Sequence, residues 1–425
     1  MIHEISVNLG NVLLSFSDAI DLANDSIASH QMRTAFICWQ MANAAELPLD
    51  EKQNLFIGAI LHDVGALTAE DKMEVHNFDN VDPEPHCILG ADLYESCSLL
   101  KESSQIVRWH HKPWSKWETS IDSKEVFGSQ VLFLADHLER SIKQDQYILH
   151  QNEKITEKII SMSGSEISPE VVDLFVATSN REDFWLDLVS PRLYSTLLHF
   201  GPLKAVDVES DQFLSIATFF RNLIDFKSPF TSTHSTGVAE CAAILARIFG
   251  LTKNEIFLIK LAGYFHDLGK LAIPNSILEK PDRLTKDEIA VMRQHTYFTY
   301  MVLKSIGGLG QIPEWAAFHH ENLDGSGYPF HIDGEKMDTA TRILAVADIF
   351  TALAEDRPYR AGMQRDEIEK ILRGMSERKE KDENIVNLLF DNYEEVLMHV
   401  REKQAITSSE YRGLVRTDGP SQTAS

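Results

Sequence analysis

Ten of the 17 histidines in this 425-residue chain fall into two sets of the same order, each accompanied by aspartates that could join them around metal ions. His30, His62-Asp63, His86, His110-His111 and Asp136 make the first set; His234, His266-Asp267, His295, His319-His320 and Asp348 make the second. In both, 32 residues separate the first two histidines and 24 separate the third from the pair, while the remaining intervals differ by a few residues, as loop-length changes on a shared scaffold would. Five imidazoles and two carboxylates supply enough nitrogen and oxygen ligands for two adjacent divalent ions. A carboxylate following a histidine can bridge two such ions, which then clamp the attacking and leaving oxygens of a phosphodiester and lower the pKa of a bridging water. Buried histidines satisfied by backbone would explain one or two of these positions, not seven in register.

The elements that must hold these side chains read as helices. Leu251-Thr252-Lys253-Asn254-Glu255-Ile256 has the form of a capping box, and Leu284-Thr285-Lys286-Asp287-Glu288-Ile289 repeats it ahead of His295. After His234, Val238, Cys241, Ala242, Leu245 and Phe249 form one stripe ending at Gly250, the expected terminator. Ile343, Ala347, Ile349, Phe350 and Leu353 surround Asp348 with an apolar face. No alternating strand series of comparable length occurs. The expected fold class is all-α, two tandem helical bundles each around a buried metal site. Ser190-Pro191 and Gly201-Pro202 interrupt the pattern, so the domains are expected at 1–200 and 205–405, with 407–425 a disordered tail.

Composition narrows the function. With 40 Lys+Arg against 64 Asp+Glu the formal charge is −24, which repels nucleic-acid polymers and anionic membranes. A small anion could bind where metal ions and a few placed cations reverse the field. Cys38, Cys87, Cys97 and Cys241 form no CxxC pair and suit reduced, buried thiols. With no signal-peptide pattern and no apolar run of 18 residues, a cytoplasmic location is expected.

The second set resembles the HD-GYP branch of the HD superfamily of metal-dependent phosphohydrolases. The residues that carry the likeness are His266-Asp267-Leu268-Gly269-Lys270, the stretch His319-His320-Glu321-Asn322-Leu323-Asp324-Gly325-Ser326-Gly327-Tyr328-Pro329, and Ala347-Asp348-Ile349-Phe350 with Arg357-Pro358-Tyr359-Arg360. The resemblance implies hydrolysis of cyclic di-GMP or 3′,3′-cyclic GMP-AMP to a linear dinucleotide or mononucleotides. It also implies one metal held by His234, His266, Asp267 and Asp348, and another by Asp267, His295, His319 and His320. Lys270 would contact a substrate phosphate and act with Asp267 in catalysis; Asp324, Gly325, Gly327, Tyr328 and Pro329 would line the nucleotide groove, with Arg357 as a further phosphate contact.

Each assignment also has a plain structural alternative. Lys270 could simply face a helix C-terminus, the glycine loop could be a surface turn, and Arg357 could cap a helix. Some family members carry a glutamate, associated with a third metal, one helical turn before the first histidine; Phe230 stands there, so two ions are expected. The mixed ligands accept iron or manganese readily and do not exclude zinc.

The first set is equally complete in ligands, but His62-Asp63-Val64-Gly65-Ala66 lacks the lysine and His110-His111-Lys112-Pro113-Trp114 replaces the glycine-tyrosine loop. It resembles a plain HD domain with its own metal site. It could be a phosphomonoesterase of 5′-nucleotidase type acting on the linear product, with Lys112 partly replacing the missing cation, or a regulatory domain that keeps metal for structure and supports a homodimer. For the whole chain the competing readings are a catalytically silent cyclic-dinucleotide receptor and a phosphohydrolase of another nucleotide.

Overall fold

The computed structural model describes residues 5–21, 28–66, 83–227, 233–280, 282–356 and 361–415. The chain divides into two compact units, Val7–Val208 first and Met1–Ser6 with Glu209–Ser425 second, and both are helical. Among the described residues the strands are limited to a two-residue pair, Val7–Asn8 (β1) antiparallel to Asp207–Val208 (β2), which ties together the ends of the first unit.

The first unit contains α1 (Leu9–Asp21), α2 (His30–Ala44), α3 (Leu49–Ile60), α4 (Glu84–Glu95), α5 (Ser104–Arg108), α6 (Lys124–Arg140), α7 (Asn152–Ser161), α8 (Pro169–Ser179), α9 (Glu182–Leu188) and α10 (Leu193–Phe200). Helix α2 packs on α3 and α6, while α4 packs on α5 and on the tight turn His62–Gly65 that follows α3. Each of these helices buries apolar side chains on the inner side: Phe36 and Met41 on α2, Phe56 and Ile60 on α3, Leu93 and Tyr94 on α4, Leu132 and Leu134 on α6.

The second unit contains α11 (Ser210–Lys227), α12 (His234–Phe249), α13 (Lys253–Phe265), α14 (Asn275–Leu278), α15 (Lys286–Ile306), α16 (Ile312–Ala317), α17 (Thr339–Ala354), α18 (Arg365–Glu377), α19 (Glu383–Asp391) and α20 (Tyr393–Val415). Helix α12 is the axis, packed on α13, α17 and α20, and the turn Leu268–Ala272 lies against α15. Both capping boxes form: Thr252 and Glu255 start α13, and Thr285 and Glu288 start α15. Gly250 ends α12 at φ 96°, left-handed backbone that glycine adopts without strain. Within the expected stripe Val238, Cys241, Ala242 and Leu245 are buried, but Phe249 at the last position is 45% exposed.

One expectation is corrected here. The segment from Thr407 is not a tail at its start, since α20 continues to Val415. Thr407 is buried with its hydroxyl 3.3 Å from that of Thr236 on α12, and Gln404 Nε2 donates to Thr233 O at 3.3 Å and Glu355 Oε2 at 3.2 Å. The stretch thus meets α12 at Thr236, and Gln404 just before it is held at the start of α12 and the end of α17. Residues 416–425 lie outside the described residues. Among the described residues, no helix is long and apolar enough to cross a membrane.

Candidate metal centres

In the second unit all seven expected ligands are buried or nearly so and converge. His234 begins α12, His266-Asp267 sits in the turn after α13, His295 lies on α15, His319-His320 forms the short turn after α16, and Asp348 is on α17. His234, His266 and Asp348 offer ligand atoms within 4.8 Å of one another; so do His295, His319 and His320, and so do His266, Asp267 and His319. Asp267 joins the groups. Its Oδ2 is 3.1 Å from His266 Nε2 and its Oδ1 is 3.5 Å from His295 Nε2, so one carboxylate addresses both sides. Asp348 Oδ1 is 3.2 Å from His234 Nε2 and 3.8 Å from His266 Nε2.

The imidazoles are aimed by local backbone. His266, His295 and His319 each direct Nδ1 at the carbonyl three residues earlier: Gly263 at 2.8 Å, Met292 at 2.7 Å and Ala316 at 2.7 Å. A proton on Nδ1 in that bond leaves the Nε2 lone pair directed into the site, the arrangement a metal ligand requires. His234 uses a side chain instead, its Nδ1 lying 3.1 Å from Glu355 Oε1. Burial lowers His295 to about 4 and His320 to about 3, keeping both rings neutral and able to ligate near neutral pH. Burial also opposes protonation of His234, but Glu355 and Asp348 outweigh it and raise that ring to about 10. Asp267 and Asp348 stay ionised, because the surrounding imidazoles outweigh their burial and hold both well below the usual carboxylate range. The buried His266 Nε2 has no properly formed hydrogen bond among these atoms. Buried carboxylates and lone pairs facing one another call for a cation, and this donor set fits divalent metal ions.

A glycine makes the convergence sterically feasible. A Cβ on Gly269 would lie 1.9 Å from His295 O and 2.8 Å from Thr299 N. Gly269 N donates to Thr299 Oγ1 at 2.9 Å, and that hydroxyl donates to His266 O at 3.1 Å, so the turn is seated on α15 and Asp267 is brought to His295.

The remaining expected residues are distributed more variously. Lys270 Nζ lies 2.6 Å from Asp267 Oδ2, at the edge of the ligand set. Tyr328 packs with its ring centre 4.9 Å from that of His320, and the Arg293 guanidinium lies over the Tyr328 ring, 4.9 Å from its centre. The Tyr328-Pro329 bond is cis, and Gly325 turns at φ 76°. At Gly327 the missing side chain makes room for the chain's own backbone, with Glu321 Cα and Asn322 N 2.4 and 2.5 Å from a would-be Cβ. Asp324 is exposed and accepts from Ser326 N at 3.0 Å and Oγ at 2.7 Å, shaping the loop tip. Arg357, with Pro358, Tyr359 and Arg360, and Phe230 lie outside the described residues.

The first unit repeats the geometry. Asp63 Oδ2 is 3.5 Å from His30 Nε2 and 3.4 Å from His62 Nε2, while Oδ1 is 3.6 Å from His86 Nε2 and 3.8 Å from His110 Nε2. His111 Nε2 is 3.9 Å from Asp136 Oδ2, and His62 and His110 again direct Nδ1 at the carbonyls of Ala59 and Val107, at 2.9 and 2.6 Å. Gly65 seats the turn on α4 as Gly269 does on α15, with His86 O 2.0 Å from a would-be Cβ. Lys112 does not reach the ligands: its ammonium lies between Trp109 and Trp117, 4.8 and 4.3 Å from their ring centres.

Sequence reasoning missed four residues that the fold brings to these sites. Glu355 and Glu139 both face the Nδ1 of a first histidine, His234 and His30, yet they stand at different intervals from Asp348 and Asp136, so the repeat hides them. Arg140 grips Asp136 with Nε to Oδ1 at 2.8 Å and a terminal nitrogen 2.5 Å from Oδ2. Cys87 joins His86, His110 and His111 in one cluster; its adjacency to a ligand histidine was the available signal.

The HD-domain family matches residues 27–141 and again 218–385. Over 382 residues the chain is 30% identical to a 3′,3′-cyclic GMP-AMP-specific phosphodiesterase of Vibrio cholerae, covering 87% of this chain and 88% of that protein. A cyclic di-GMP phosphodiesterase response regulator of Xanthomonas campestris is 39% identical over 145 residues, 34% of this chain and 38% of its own length. The crystal structure of a Vibrio cholerae cyclic GMP-AMP-specific phosphodiesterase superposes with a TM-score of 0.62 at 22% identity, covering 92% of this chain and 98% of that one, and shares the fold. The chain therefore belongs to the HD-GYP family of metal-dependent phosphodiesterases, with a further HD domain preceding the one that bears the signature.

Proposed function

We propose that the second unit hydrolyses a 3′,3′-cyclic dinucleotide, cyclic GMP-AMP first and cyclic di-GMP second, to a linear dinucleotide. The observation that carries the reading is the divided carboxylate of Asp267, one oxygen toward His266 and the other toward His295. His234, His266, Asp267 and Asp348 would hold one ion, and Asp267, His295, His319 and His320 the other, with iron or manganese suited to the mixed donors. Such a pair supplies Lewis acidity and a nucleophilic water at neutral pH. The chain's own contribution is positional. Asp267 and the imidazoles fix where the phosphodiester can sit, and Lys270, one turn from the bridge, offers its ammonium to the phosphate once cations relieve its pairing with Asp267. The GYP loop, braced by Glu321 accepting from Phe330 N at 2.7 Å and by Lys381 donating to Glu321 O at 2.8 Å, forms a stable wall beside His320.

The similarity to a cyclic GMP-AMP phosphodiesterase along most of both chains supports the first choice of substrate, whereas the match to the cyclic di-GMP enzyme is partial. Assay of cyclic GMP-AMP, cyclic di-GMP and cyclic di-AMP with manganese- or iron-loaded protein, followed by product chromatography, tests it. Cyclic GMP-AMP should be opened fastest and Asp267→Ala should abolish turnover. Activity surviving that substitution would refute the site, and unchanged substrate at high enzyme would favour a silent receptor.

For the first unit a phosphomonoesterase reading gains support from a pocket beside its ligands. Arg108, Lys112 and Lys116 line it together with His111, Trp109 and one carboxylate, Glu84, which pairs with Arg108 at 3.2 Å, so cations outnumber acids locally in a chain of formal charge −24. A terminal phosphate could approach His111 there while a base meets indole. A His62→Ala/Asp63→Ala protein that still converts the linear product to free phosphate at the normal rate would remove this reading and leave the domain a regulatory role.

A further inference from the structure

We infer that the centre of the first unit binds a zinc-class ion through His86, Cys87, His110 and His111, with the Cys87 sulfur as a thiolate ligand. The four side chains offer donor atoms that all lie within 4.8 Å of one another. Two of the separations agree with a tetrahedral site. Zinc-to-nitrogen and zinc-to-sulfur bonds of about 2.0 and 2.3 Å at tetrahedral angles place nitrogens roughly 3.3 Å apart and sulfur roughly 3.6 Å from nitrogen. His86 Nε2 and His110 Nε2 are 3.3 Å apart, and Cys87 Sγ is 3.7 Å from His86 Nε2.

A second observation points to a ligand independently of the cysteine. His111 Nε2 is buried without a hydrogen-bond partner, its side chain 9% exposed, and Asp63 Oδ1 is likewise unpartnered between His86 and His110. Polar atoms left so in a protein interior mark a place for a cation. The sulfur is particular to this centre. In the second unit the residue after His295 is Thr296, whose hydroxyl donates to Arg293 O at 3.0 Å. One thiolate among imidazoles shifts the preference toward zinc, whereas the all-nitrogen and oxygen set of the second unit suits iron or manganese, so the duplicated scaffold carries two centres of different metal preference. Binding releases the Cys87 thiol proton as the sulfur donates its pair to the ion.

Cys87 Sγ is also 3.6 Å from His110 Nδ1, the nitrogen directed at Val107 O, so its other conceivable role is to orient that ring without touching metal. Cobalt substitution of the full chain separates the two. The wild type and a His266→Ala/Asp267→Ala protein should both show a near-ultraviolet sulfur-to-cobalt charge-transfer band, and Cys87→Ala should lose it while visible cobalt bands remain. Cys38, Cys97 and Cys241 join no ligand cluster among the described residues, so the band reports Cys87. Should Cys87→Ala fail to fold, X-ray absorption of zinc-loaded His266→Ala/Asp267→Ala protein decides, with one sulfur neighbour expected at about 2.3 Å. A band that persists in Cys87→Ala, or zinc in the second protein with only nitrogen and oxygen neighbours, overturns the assignment. Neither readout depends on the first unit being catalytic.

Discussion

Asp225 shows how a residue outside the ligand set bears on the site's stability. It is buried on α11, with Oδ1 accepting from Ser235 Oγ at 2.6 Å and Oδ2 lacking a partner, immediately beside His234. Burial pushes its carboxyl from the ordinary 3.8 up to about 6, against the opposing pull of Ser235, Arg221 and His234. Below 3.8 the folded and unfolded chains both hold this proton. As pH rises toward 6 the unfolded chain releases it while the folded chain keeps it, so stability falls and stays lower above 6. The loss is at most about 3 kcal/mol. Asp225→Asn keeps the acceptor and removes the titration. Urea unfolding of chelator-treated protein should show the variant more stable at pH 7 and indistinguishable from wild type near pH 4. An offset independent of pH would contradict the account.

At the same scale, burial and charge sort the histidines into roles. His295 and His320 are held neutral by their surroundings, while Glu355 and Glu139 supply negative charge to His234 and His30. The carboxylate partner raises the donor strength of the imidazole it faces once a metal replaces the proton. Gln404, from the stretch of α20 beyond the residues needed for the ligand set, holds Glu355 in turn.

The turns that follow α3 and α13 are the elements on which each centre depends. Each must approach the helix carrying the third histidine so closely that only glycine fits: Gly65 against the His86 carbonyl on α4 and Gly269 against that of His295 on α15. The close approach is what lets one aspartate address histidines on two elements. Gly269→Ala must therefore lift the turn from α15, and we expect at least a hundredfold loss of phosphodiesterase activity, loss of metal from the second unit, and a stability cost of roughly 3 kcal/mol from overpacking. Metal analysis, kinetics and thermal unfolding check this together. Normal metal content in Gly269→Ala would show that the turn tolerates a side chain and that the seating is not what positions Asp267.

For the molecule as a whole, two units each enclose a cluster of buried acids and imidazoles, so metal should stabilise each unit through its own centre. An ion present at 100 times its dissociation constant adds about 2.7 kcal/mol to the stability of the unit that binds it. Scanning calorimetry with and without chelator should show metal-dependent unfolding attributable to both units. Asp267→Ala should remove only the second unit's response, and His62→Ala/Asp63→Ala only the first's. A variant that erased both responses would mean that the centres do not bind independently.

The chain's sequence by itself determined the repeated ligand order, the all-helical class and the family, because ligand spacing and helix caps are local or strictly periodic signals. His234, His266, Asp267, His295, His319, His320 and Asp348 were legible for that reason, and Thr252 and Thr285 announced their helices through partners three residues away. Tertiary structure decided what proximity across elements decides. It placed Cys87 among three histidines, paired Arg140 with Asp136, aimed Glu355 and Glu139 from different positions at equivalent rings, and filled the space beside Gly327 with the chain's own backbone. It also extended α20 past Thr407, where Gln404 and Thr407 find polar partners on or beside α12 that no local pattern encodes. A side chain's chemistry can be read from its type, but its partners are set by which helices the buried apolar faces bring together.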